Sequence, residues 1–230
     1  MPPAIVVGNA NTVMETGRRG WCIDKFEFVV RMNSYQIGQW VPWTGERQTH
    51  WVANCDHARS RDTFRKFMLE KANRVCWVPP RSVEIAETWG GEHEGATVVG
   101  FDAPAIVDVL HAAGCADDVK HNPVKGTVQI GPEPKIFASI GLLALGQAVL
   151  EWGSGVAFYG FNSFSDFETT GIKYYFCHTH DEGKEAPPPK GIARKMFSAP
   201  QFFPHNYSAE KRIIERMAQA GQIIPLESIC

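Results

Sequence analysis

The stretch Ala4-Ile5-Val6-Val7-Gly8-Asn9-Ala10-Asn11 decides how the chain is read. Four apolar residues give way to a glycine and two amide side chains. A short apolar run closed by a turn signal marks a strand buried on both faces, the strand type of parallel sheets. Gly8 allows a sharp turn directly after the strand. Asn9 and Asn11 then stand above its carboxyl end, where open α/β sheets bind their ligands. Neutral amides and backbone N–H groups together hold a phosphate without a lysine. The run is neither G-x-G-x-x-G nor a P-loop, so it signals neither a dinucleotide nor a nucleoside triphosphate. Taken alone, a Gly-Asn pair serves equally well as a plain turn.

Outward from this strand (4–7), further short runs predict strands over 26–31, 48–53, 75–78, 97–99 and 155–159. Helical patterns fall over 63–73, 104–113, 137–151 and 208–220. The second of these ends before Gly114, and the last has Ser208 as N-cap and Gly221 just past its end. Such alternation implies a Rossmann-like α/β fold, a mostly parallel sheet with helices on both faces. The second predicted strand ends in Arg31-Met32-Asn33 and the third in Ala53-Asn54. Three consecutive strands thus each place an asparagine at the carboxyl end, and parallel neighbours would bring Asn9, Asn33 and Asn54 together. No repeat or linker divides the chain, so residues 1–230 form one domain. The 44 residues 161–204 carry little periodicity and include Pro187-Pro188-Pro189. A stretch this long in a compact domain suggests a lid over a site.

Of the 230 residues 44% are hydrophobic and 21% charged, with a net charge of −2. That excludes a mainly disordered chain and a strongly basic nucleic-acid binder. No apolar run is long enough to span a bilayer. The N-terminus lacks the basic region of a signal peptide and reads as the first strand, with no anchor or stem before it. Six cysteines, at 22, 55, 76, 115, 177 and 230, form no CxxC pair and are expected as free thiols of a reducing compartment. The seven tryptophans could line a surface, though burial is their commoner fate.

Val6–Asn11, Arg31-Met32-Asn33 and Gly45-Glu46-Arg47-Gln48-Thr49-His50 resemble the long sialyl motif of the eukaryotic-type sialyltransferases. The strand-end asparagines also resemble those of the smaller bacterial sialyltransferases. Ala138-Ser139-Ile140-Gly141-Leu142-Leu143, followed by Tyr159-Gly160-Phe161, looks like the short sialyl motif. His205 and Glu210, with four residues between them at the opening of a helix, match the very short one. Lys173-Tyr174-Tyr175-Phe176 is a looser match to the motif that precedes it, with its leading His and trailing acid replaced.

The resemblance implies a glycosyltransferase A-like fold and an inverting, metal-independent transfer of a sialic acid from a CMP-sugar to a glycan hydroxyl. By this resemblance Asn9, Asn11, Asn33 and Asn54 hold the phosphate and ribose, and Gly160, Phe161 and Asn162 hold the cytidine. Ser139 and the Gly141 region hold the sugar carboxylate. Tyr174 or Tyr175 assists the leaving phosphate, and His205, paired with Glu210, is the general base. No cofactor or metal is expected, nor a nucleic-acid partner, while membrane-surface association stays open. CMP-Kdo and CMP-pseudaminic-type donors present the same handles, and a non-catalytic nucleotide-binding domain is the alternative of another class. The cysteine that opens the family's long motif is replaced by Ala4 or Ile5, and its bridging partner is missing. That loss agrees with a cytoplasmic, bacterial or viral version. Two other clusters have metal-ligand composition, Cys177-His178-Thr179-His180-Asp181 and Asp166-Phe167-Glu168, and polar loop segments explain both as well. Residues 59–133 have no counterpart in the family.

Overall fold

The computed structural model describes residues 1–161 and 206–230, apart from 11, 12, 14, 15, 34, 55–60, 71, 72, 91–94, 124, 125 and 133–135. Asn11, Asn162, Tyr174, Tyr175, His205, the lid but for Phe161, and both clusters of metal-ligand composition therefore lie outside the described residues. Seven parallel strands form the sheet: β1 (Ala4–Val7), β2 (Phe28–Met32), β3 (His50–Val52), β4 (Val75–Val78), β5 (Thr97–Gly100), β8 (Val156–Tyr159) and β9 (Ile223–Pro225). They lie in the order β5-β4-β3-β2-β1-β8-β9, and every pairing is parallel. The chain steps outward from β1 to β5. It then returns through helix α5 (Ala103–Ala112), a hairpin of β6 (Val119–Asn122) and β7 (Thr127–Ile130), and helix α6 (Ile140–Trp152), entering the sheet again on the far side of β1. The strand order therefore reverses between β1 and β8, the switch point at which open α/β sheets hold their ligands.

Each face of the sheet buries a different set of side chains, as the period of two requires. Ala4, Val6, Val30 and Met32 pack toward α5, α6 and the closing helix α7 (Tyr207–Gln219). Ile5, Val7 and Val29 pack toward the single turns α1 (Gly20–Ile23) and α2 (Val41–Thr44). Trp51, Cys76 and Val78 pack toward α3 (Arg61–Arg65), continued by a π turn over Lys66–Glu70, and α4 (Val83–Gly90). Helices on both faces of a parallel sheet are what the alternation implied. Trp40, Trp51 and Trp77 are buried, while Trp21 stays exposed. Among the described residues no helix is long and apolar enough to cross a membrane.

Several sequence expectations need adjustment. The predicted strands 26–31 and 48–53 become Phe28–Met32 and His50–Val52, while Thr49 and Ala53, flanking the latter, still donate to the carbonyls of Val29 and Trp77 on the neighbouring strands. The closing helix starts at Tyr207, with Asn206 rather than Ser208 as N-cap; the Asn206 side chain accepts the Ala209 N–H at 3.0 Å. Gly221, with φ +69°, does end it, and Gly114, at +81°, ends α5. Cys22 and Cys230 are not free thiols but form a disulfide, their Cα atoms 6.5 Å apart. The reason is tertiary: Leu226, Ile229 and Cys230 pack on the cluster that holds Cys22, 208 residues away in sequence. With Cys22 and Cys230 bridged, the cysteines no longer point to a reducing compartment. Cys76 and Cys115 are free and buried.

The segment 45–50 of the long motif builds the frame. Arg31, almost fully buried, donates to the carbonyls of Thr44 at 2.8 Å, Gly45 at 3.1 Å and Arg47 at 2.8 Å. A guanidinium supplies several donors in a fixed fork, so one side chain satisfies a whole turn of carbonyls. Asp24 Oδ1 accepts the N–H groups of Glu46 and Arg47 on the same turn. Thr49 Oγ1 accepts the Val29 N–H at 2.9 Å and bonds His50 Nδ1 at 2.8 Å. The His50 ring sits among Phe28, Trp77 and Trp152, at the amino end of the strands and away from the switch point. Burial pushes its pKa down from 6.5 to about 4. A neutral imidazole in the folded state and a protonated one in the unfolded state make stability complete above pH 6.5 and progressively lost as pH falls toward 4. Replacing His50 by Phe should flatten the rise of the urea-unfolding free energy between pH 4 and 6.5. An unchanged slope would remove His50 as its source.

Candidate active site

The exits of β1 and β8 touch. The Gly8 N–H donates to the Tyr159 carbonyl at 2.7 Å and the Ala10 N–H to the Gly160 carbonyl at 3.0 Å. A Cβ at Gly8 would lie 2.1 Å from the Gly160 oxygen. The need for glycine here is thus close backbone approach and not the sharp turn expected of it, since Gly8 is absent from the positive-φ glycines while Gly160, at +73°, is among them. With the strands joined this tightly, Asn9 and Phe161 leave the sheet side by side.

The asparagines of the first three strands do form one row. The Asn9 Nδ2 donates to the Met32 carbonyl at 2.9 Å, bridging the ends of β1 and β2. Asn33 has φ +48°, a left-handed conformation that asparagine tolerates better than most residues. Its Oδ1 accepts the Asn54 N–H at 3.0 Å, and its carbonyl accepts Trp51 Nε1 at 2.9 Å. All three asparagines are half-buried. These bonds orient the amides. Asn9 keeps its carbonyl oxygen and one N–H for a ligand, whereas Asn33 keeps both hydrogens of Nδ2.

The fourth wall is the start of α6. Ser139 is its N-cap, its Oγ accepting the Leu142 N–H at 3.3 Å. A Cβ at Gly141 would stand 3.1 Å from Phe161 Cε1 and 3.8 Å from Met32 Sδ, so this helix end lies at the mouths of β2 and β8. Glu210, from α7, reaches across to Ser139. Its Oε1 accepts the Ser139 N–H at 2.7 Å and its Oε2 the Ser139 hydroxyl at 2.6 Å. Both donors of Ser139 are therefore committed to Glu210 and not open to a substrate carboxylate. The amides of Ile140 and Gly141, the first two of the helix, have no partner among the described residues. Sequence reasoning named Ser139 and Glu210 separately. Nothing in the chain signals that residues 71 apart would pair.

The Glu210 carboxyl is 3% exposed. Burial raises its pKa to about 7, against the opposing pull of the two Ser139 bonds. A carboxyl whose folded pKa exceeds its unfolded one favours folding below about pH 4.5, and the contribution is lost as pH rises through 7.

No protein-family model and no curated protein sequence matches the chain. Solved structures do. A crystal structure of a mammalian sialyltransferase superimposes with a TM-score of 0.52 over 96% of this chain and 67% of that one, at 15% identity. A second, of a mammalian sialyltransferase in complex with Gal-beta-1-3GalNAc-ortho-nitrophenol, gives 0.51 over 97% and 68%, at 14% identity. The fold is the sialyltransferase fold. The Asn9–Asn33–Asn54 row, the Gly8–Gly160 contact and the α6 start occupy one corner of this sheet. Replacing Glu210 by Gln should remove a pH dependence worth on the order of 3 kcal/mol between pH 4.5 and 7 from the unfolding free energy. Parallel curves for variant and wild type would show that Glu210 ionises as it does in water.

Proposed function

We propose that the chain is an inverting, metal-independent glycosyltransferase that moves a sialic acid, or a related 2-keto sugar acid, from a CMP-sugar to a glycan hydroxyl. The observation that carries this reading is the convergence of Asn9, Asn33, Asn54 and two unpartnered helix amides at the β1/β8 switch point. Asn33 Nδ2 donates to the phosphate, and Asn9 Oδ1 accepts from a ribose hydroxyl. Gly160, Phe161 and Asn162 border the cytidine. The Ile140 and Gly141 amides, at the positive end of a 13-residue helix, hold the sugar carboxylate. That handle is common to sialic acid, Kdo and pseudaminic-type sugars, so it selects the class of donor and leaves the member open.

Tyr174 or Tyr175 donates to the phosphate as CMP leaves, and His205 takes the proton of the attacking hydroxyl. Donors placed where charge develops and a base at the attacking hydroxyl supply most of the acceleration. Glu210 acts by holding the start of α7 against the start of α6. The Gal-beta-1-3GalNAc group on the mammalian neighbour makes a galactose-terminated glycan the first acceptor to assay.

Replacing Asn33 by Ala should weaken CMP binding about tenfold in calorimetry, the loss of one hydrogen bond to a charged group. Replacing His205 by Ala should lower turnover by roughly 10²–10⁴-fold and leave CMP affinity unchanged within twofold. Wild-type protein that releases no CMP from any of the three donor classes, yet binds CMP, would favour the non-catalytic nucleotide-binding reading.

A further inference from the structure

The last residue of β8 turns its side chain away from α6 and toward the segment that leaves Asn9. Tyr159 is 1% exposed. Its hydroxyl accepts from Thr16 Oγ1 at 2.9 Å and donates to the Val13 carbonyl at 2.9 Å, with the Gly17 carbonyl 3.3 Å away. Val13 is fully buried, and a Cβ on Gly160 would lie 2.6 Å from its Cγ2. The backbone of the same two residues, Tyr159 and Gly160, accepts the N–H groups of Gly8 and Ala10. The end of β8 thus holds both sides of one excursion: the backbone holds residues 8 and 10, and the phenol holds 13, 16 and 17. Asn9 lies in the first part.

We propose that Tyr159 is a positioning residue for the nucleotide side of the site, its phenol latching the segment after Asn9 so that donor binding depends on a hydroxyl that touches no donor atom. The proposal rests on the reading of the site as a CMP-sugar site. A phenol oxygen with one donor and room to accept can serve a hydroxyl and a carbonyl at once. A ring without the oxygen keeps the packing against Ala157 and Val13 and loses only the latch. Asn9 would keep its bond to Met32, but the chain that follows it would sample more conformations, and ordering them on binding weakens affinity.

Tyr159→Phe separates the possibilities. Amide hydrogen exchange over residues 13–19 should speed up in the variant. The Kd for CMP and the KM for the CMP-sugar should rise about five- to tenfold, with kcat within twofold of wild type. Thr16→Val should give part of the same effect, and the double variant should be no worse than Tyr159→Phe, because both remove one network. Faster exchange with unchanged Kd and KM, or unchanged exchange, would overturn the latch. A fall in kcat at constant KM would overturn it too. Wild-type protein that binds no CMP would remove the functional reading and this proposal with it, whereas normal wild-type binding with an unaffected variant removes the latch alone.

Discussion

The start of α6, at the carboxyl edge of the sheet, depends on a carboxylate taken out of water to hold it. Glu210 is almost fully buried, and burying a charge costs several kcal/mol unless it is well bonded. It is bonded to the one residue, Ser139, that also caps α6. The pairing satisfies the Ser139 amide and hydroxyl at the first turn of α6, and the next two amides have no partner among the described residues. It also fixes α7 relative to α6, and α7 begins directly after the residue expected to act as base. At its other end α7 is tied down by Arg216, which donates to Asp118 Oδ2 at 2.7 Å and to the Gly114 carbonyl at 3.1 Å. An exposed ion pair contributes little by itself. Here its value is to keep a helix from pivoting about its buried end.

Residues of the long motif and their neighbours divide into a frame and the candidate site. Arg31, Asp24, Thr49 and His50 join β2, α2 and β3 and lie away from the switch point. Asn9, Asn33 and Asn54 sit on that frame. Asn33 illustrates the dependence. Its left-handed backbone carries a conformational cost, met by the bonds to Val52, Trp51 and Asn54 that only a correctly placed β3 can supply.

Much of this was legible in the chain because buried parallel strands announce themselves as apolar runs. The runs behind β1, β4 and β8 give their bounds to within a residue, whereas the helix expected from 137 begins only at Ile140, after Ser139. The asparagine row was legible only because parallel neighbours were assumed, and the sheet order makes that assumption hold. What stayed hidden depends on contacts between distant parts of the chain. The Glu210–Ser139 pair, the Cys22–Cys230 disulfide and the Tyr159 latch have no local signature. The β6–β7 hairpin and the single turns α1 and α2 are too short for periodicity to register. Asn206 displaced Ser208 as cap because either residue type can serve, and only the geometry of the entering chain chooses. Gly8 was read for the right place and the wrong reason: its constraint comes from Gly160, 152 residues on.

The central claim is that one corner of the sheet holds a CMP-sugar through neutral amides and helix N–H groups. The most direct test is a crystal structure with CMP bound. The account predicts the phosphate within hydrogen-bond distance of Asn33 Nδ2, a ribose hydroxyl at Asn9 Oδ1, and the cytosine beside Gly160 and Phe161. CMP bound elsewhere, or bound with its phosphate directed away from the asparagine row, would contradict it.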